Sequence, residues 1–193
     1  MKSFKILNIV MAILGLTSCT TNDSAPSHSK STKPISLPRE FMQSLNDEQV
    51  SKDLEALVNA ELPFAQKMLE QHGEFYPFAA TISKDGEAAY LAADIGKENP
   101  KSAEMIEFVT AALHAQAQKG EYRAAAICTD IAITLPSTAQ KTDAIRISFE
   151  HRKGSCLYFF IPYEKVKPGA ITLGEAFAST FQPAEPIFVS EVK

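Results

Sequence analysis

An α+β domain is what the sequence predicts, with helices laid against an antiparallel sheet. Three observations predict it: two stretches with apolar residues at helical spacing, a hairpin signal between them, and alternating apolar runs after the second. The 193 residues are 45% hydrophobic and 22% charged, the balance of one globular core with an extension.

The first helical stretch carries Val50, Leu54, Leu57, Val58, Leu62, Met68 and Leu69 at spacings of three and four, which puts one apolar stripe against a core. Asn46 or Asp47 can cap its start, acidic Glu48 follows, and His72-Gly73 supplies a stop. Pro63 lies inside the pattern. It lacks the backbone donor and clashes with the preceding turn, so two helical pieces are expected, broken near residues 59–62. Phe75 to Ser83 and Glu87 to Ala93 have strand length, and Lys84-Asp85-Gly86 between them suits a tight turn. Asn99-Pro100-Lys101-Ser102 then opens a second helix with Met105, Ile106, Phe108, Val109, Ala112, Leu113 and Ala117 on its stripe and Gly120 at its end. His114 adjoins that stripe and reads as an edge residue rather than a catalytic base.

Three strands follow, Tyr122 to Leu135, Asp143 to His151 and Ser155 to Tyr163, and then a less regular tail. Arg152-Lys153-Gly154 fits a three-residue hairpin loop with Gly154 left-handed. That loop pairs Ile145, Ile147 and Phe149 with Ile161, Phe159 and Leu157, whereas a two-residue loop would set Arg146, Ser148 and Glu150 against those apolar residues. Cys128 and Cys156 then sit on strands with a third between them. Two strand spacings of about 4.8 Å exceed the roughly 7 Å reach of a disulfide, so no bridge is expected.

The order of elements resembles that of roadblock or profilin-like domains. Separately, Gln71-His72-Gly73-Glu74-Phe75-Tyr76-Pro77-Phe78-Ala79 and Asp143-Ala144-Ile145-Arg146 resemble a family of uncharacterised bacterial proteins over residues 50–163. That resemblance implies no activity.

At the N-terminus Lys2 and Lys5 precede an apolar run from Ile6 to Leu16, broken only by Asn8 and Gly15. This is the layout of a secretory signal. The run is shorter than the roughly 20 residues needed to span a bilayer. Leu16-Thr17-Ser18-Cys19 resembles the lipobox of bacterial lipoproteins. The resemblance implies cleavage before Cys19, a diacylglyceryl group on its thiol and an acyl chain such as palmitate on its new amine. Two or three chains make membrane residence effectively permanent. Thr20 and Thr21 follow Cys19 with no acidic residue between, which by the enteric sorting habit resembles an outer-membrane destination facing the periplasm. The expected organisation is a signal peptide over 1–18, a lipidated N-terminus and Ser/Thr/Pro-rich disordered tether over 19–37, and one α+β domain over 38–193. His28 in the tether reads as solvated.

Losing Lys2 and Lys5 leaves 17 basic residues against 23 acidic, a formal charge of −6, which gives no support to nucleic-acid binding. The chain carries no phosphate-binding glycine loop, nucleophile elbow, HExxH or CxxC. Its four histidines, at 28, 72, 114 and 151, stand far apart, so the sequence names no metal, cofactor or catalytic residue.

Two places invite a binding reading. On the second face of the predicted hairpin Arg146, Ser148 and Glu150 lie beside Cys156, Tyr158 and Phe160, and Arg146, Glu150, Tyr158 and Phe160 form the candidate interaction surface, since aromatic rings and Arg supply contact area and directional bonds. The alternative is that a helix or the C-terminal tail covers this face and makes the rings core. At the His72 to Pro77 junction an acid and a phenol stand side by side; the simpler reading there is Gly73 as C-cap and Tyr76 as a packing residue. The expected function is a membrane-anchored envelope lipoprotein that binds a protein partner. A small envelope hydrolase with an unrecognised site is the alternative.

Overall fold

The computed structural model describes residues 7–9, 42, 45, 47–92 and 96–188. Cys19, the tether and most of the expected signal peptide therefore lie outside the described residues. The elements in chain order are β1 (Leu7–Ile9), α1 (Glu48–His72), β2 (Phe78–Ser83), β3 (Ala88–Ala92), α2 (Ser102–Gln118), β4 (Tyr122–Thr134), β5 (Lys141–His151), β6 (Cys156–Lys167), β7 (Ala170–Leu173) and β8 (Phe177–Thr180). The strands form one antiparallel sheet in the order β1-β3-β2-β4-β5-β6-β7, and β8 also pairs with β6. This is a mixed α+β architecture, as the apolar periodicity predicts, with one helix on either side of the sheet. No described helix is long and apolar enough to cross a membrane.

One sheet face packs against α1. Val50, Leu54, Leu57, Val58, Leu62, Ala65 and Leu69 of the helix close over Ile145, Ile147 and Phe149 of β5 and Leu157, Phe159 and Ile161 of β6. These six strand residues pair in the predicted register, Ile145 with Ile161, Ile147 with Phe159 and Phe149 with Leu157. Gly154 takes φ +90° in the connecting loop, a conformation that costs glycine little because it has no Cβ. On the opposite face Val109, Leu113 and Ala117 of α2 cover Ala79, Ala125 and Ile127 of β2 and β4.

Asp47 is the N-cap of α1, accepting from the Gln49 and Val50 amides at 2.9 and 3.2 Å. Gly73 closes the helix at φ +78°, its amide donating to the Leu69 carbonyl.

Three expectations are corrected. The helix does not break at Pro63, because α1 is one element of 25 residues. Pro63 is exposed, so the Asn59 carbonyl it deprives of a donor lies on the solvent side, while the buried stripe on both sides of it holds the axis. The Tyr90 hydroxyl donates to the neighbouring Ala60 carbonyl, which ties this turn to β3. The first hairpin strand begins at Phe78 rather than Phe75, since residues 75–77 turn from the helix into the sheet. The C-terminal tail is also more regular than expected: β7 and β8 lie end to end along the outer edge of β6.

Leu7–Ile9, inside the expected signal peptide, pairs with β3 at the sheet edge. Among the described residues Cys128 and Cys156 are free, as expected: Cys128 lies in the α1-side core and Cys156 pairs opposite Glu150 on the other face.

Candidate interaction surface

Beyond the reach of α2, the second sheet face continues over β5, β6 and β8. Strand alternation brings Arg146 and Ser148 of β5 beside Tyr158 and Phe160 of β6, and Phe177 of β8 pairs opposite Phe160. Phe181, just after β8, donates its amide to the Cys156 carbonyl, and its ring stacks on Tyr158 at 3.9 Å with a 3° interplanar angle. Phe160 stacks on Phe177 at 4.9 Å and meets Tyr158 at 5.8 Å and 64°. The Arg146 guanidinium stands 5.0 Å from the Tyr158 ring centre, a cation–π contact.

The four rings stand side by side on β6, on β8 and just after it, so the stacked pairs cover one another's faces in a single layer, and all four are half-buried. No described helix lies over them; of the C-terminal tail expected as the alternative cover, Phe177 and Phe181 stack on Phe160 and Tyr158. Arg146 Nε is buried without a hydrogen-bond partner, and among the described residues no carboxylate pairs with Arg146. An unmatched guanidinium beside a ring array is a recognition feature, because Arg and aromatic side chains dominate binding energy at interfaces.

Glu150, expected on this surface, does not belong to it. It is 5% exposed, and its Oε2 accepts the Ile187 amide at 2.8 Å. Ile187 is itself 1% exposed beneath α2, and His114 Nδ1 lies 2.9 Å from the Pro186 carbonyl oxygen. The tail thus crosses back under α2 and covers Glu150, whose pKa burial pushes up. His114 is the half-buried edge residue the sequence predicts.

One polar cluster escapes the sequence reading. Asp53, 3% exposed, accepts from Arg123 Nε and an Arg123 terminal nitrogen at 2.8 and 2.7 Å. It also accepts from Gln49 at 2.9 Å and lies 3.2 Å from His151 Nε2. Burial raises the Asp53 pKa, but the hydrogen bonds from Arg123, Gln49 and His151 outweigh it and leave the group below its ordinary value. Burial likewise pushes His151 down, so its ring is neutral at pH 7. The Lys153 amide donates to His151 Nδ1 at 3.1 Å, which places the ring proton on Nε2, facing Asp53. A general base needs a free lone pair aimed at substrate, and the only lone pair of this ring is occupied. The cluster pins the start of α1 to the β5–β6 hairpin, with Lys153 reaching Asp47 at 2.6 Å as a second tie. Its sequence signal was an acid at position 53 within the apolar stripe.

Among the described residues no three His, Cys, Asp or Glu side chains converge in a way that would hold a metal ion. At the α1–β2 junction Gly73 is the C-cap, as expected, whereas Tyr76 is 52% exposed and is not a packing residue. The chain was compared with protein families, with curated proteins and with solved structures, and none of them matches it. Function has to be read from the residues themselves.

Proposed function

We propose that the chain is a lipid-anchored lipoprotein of the bacterial cell envelope, held at the outer membrane through Cys19, whose domain binds a protein partner across the sheet face of Arg146, Tyr158, Phe160, Phe177 and Phe181. The observation that carries this reading is the ring layer with an unmatched Arg at its border. It combines rigid apolar area with a directional cation, so the partner it suits presents an apolar patch next to a carboxylate. Cleavage before Cys19 would remove β1 and leave β3 as the sheet edge. The likeness in element order to roadblock or profilin-like domains agrees with a binding role and is part of the proposal. Hydrolysis is the weaker reading, because the buried His151–Asp53 pair has no lone pair free for a proton.

Photocrosslinking tests the surface directly. A photoreactive amino acid at Phe177 should trap an envelope protein, whereas one at exposed Glu55 on α1 should not. Equal trapping at both positions, or none at Phe177, would remove the proposed face.

A further inference from the structure

Phe64, Tyr76 and Val166 are the large apolar side chains that stay exposed among the described residues, and the first two line the same cavity. It has a volume of about 650 Å³ and lies where the end of α1, the α1–β2 linker and the start of α2 meet. Phe64 and Met68 come from α1, Phe75 and Tyr76 from the linker, and Met105 from α2. Phe78 forms the hub of the rings, with Phe64 edge-on at 4.8 Å and 84° and Phe75 tilted at 5.6 Å and 56°. The rings stand as angled walls instead of filling the space by flat stacking. A void of this size fits a small organic group.

The charge of the lining selects among such groups. Glu74 is the one carboxylate of the lining, His72 contributes an imidazole, and no lysine or arginine lines the cavity among the described residues. Ser102, at the N-terminal end of α2, also lines the cavity, but a helix end carries only about half a positive charge against the full charge of Glu74. An anion would meet repulsion from Glu74, whereas a cation would be balanced by it. Ring faces attract a cation that has shed its water, and methionine adapts to its irregular shape. We propose that this cavity binds an alkylated ammonium group, seated among Phe64, Phe75 and Tyr76 with its charge balanced by Glu74.

The site stands apart from the ring layer on the sheet and is tested separately. The probes are hexyltrimethylammonium and hexyl sulfate, matched in chain and opposite in charge, followed by NMR of the Met68 and Met105 methyl groups. The cation should shift both methyls and bind at least about fivefold more tightly than the sulfate, the fold-change of one cation–π contact or ion pair. Glu74→Gln and Tyr76→Ala alter exposed side chains, so the fold should hold, and each should weaken the cation about fivefold. Glu74→Gln should leave the sulfate no weaker. Equal binding of the two probes, unshifted methyls, or a Glu74→Gln variant with undiminished cation affinity would overturn the proposal.

Discussion

Replacing Glu61 with methionine should stabilise the protein, and by an amount that grows with pH. Glu61 is 0% exposed, on the α1 stripe, and neither carboxyl oxygen meets a hydrogen-bond partner. Burial pushes its pKa well above the ordinary value; the Ala80 amide offsets only part of that without reaching bonding geometry. An unsatisfied buried polar group costs about 1–3 kcal/mol. Methionine has similar length, no polar atom and good helix propensity, so Glu61→Met should gain about 2 kcal/mol at pH 7. In a domain of this size each kcal/mol moves Tm by about 2–4 °C, which predicts a rise of about 4–8 °C.

The pH dependence has a definite sign. Above the ordinary carboxyl pKa the unfolded chain loses the Glu61 proton while the folded chain keeps it, so wild-type stability from this group falls as pH rises. The difference between variant and wild type should therefore be smallest near pH 4 and increase toward pH 7. Taking the difference cancels Asp53 and His151, which act with the opposite sign. Urea unfolding at a series of pH values measures it. A variant less stable than wild type at pH 7, or a gap that does not change with pH, would show that Glu61 is paired and charged.

Asp53→Ala should cost about 3 kcal/mol, because it strands His151 and removes the acceptor of Arg123, whose own partial exposure softens the loss; denaturant midpoints read it. His151 and Asp53 both have lowered pKa values when folded, so their stabilisation is lost as pH falls, His151 first near its unfolded value of about 6.5; His151→Gln should flatten that first part of the acid-unfolding profile. Pro63→Ala, at an exposed helical site, should restore a backbone donor and raise stability by about 1–2 kcal/mol after the lost unfolded-state restriction, visible as a higher Tm. Cys19→Ser should abolish incorporation of labelled palmitate and leave an uncleaved precursor, and equal labelling of variant and wild type would refute the lipobox reading.

Much of the fold was legible because its signals are periodic. The meander register followed from counting a three-residue loop, since a two-residue loop opposes Arg146 and Glu150 to apolar residues. The start of α2 followed from Asn99-Pro100. Pro63 misled because local propensity takes no account of which side of the helix faces solvent. Glu150 misled for a related reason: alternation assigns a face, but only the path of the aperiodic tail decides whether that face is covered. Asp53 and Glu61 lie at stripe positions, yet a single acid in an apolar pattern reads as its border until its partners, 70 and 98 residues away for Arg123 and His151, are seen. Tyr158 and Phe160 were placed correctly, whereas Phe177 and Phe181 were missed, because two isolated rings in a tail show no alternation.

The central claim is that the ring layer is a binding face, and the affinity of a crosslinked partner for wild type, Tyr158→Ala and Arg146→Ala measures it most directly. Truncating a central anchor typically costs about 2 kcal/mol or more, roughly thirtyfold in affinity. Each variant should show that loss with Tm little changed, since both side chains are half-buried. Unchanged affinity in both variants, or a fall in stability of about 3 kcal/mol for Tyr158→Ala that marks the ring as core, would contradict it.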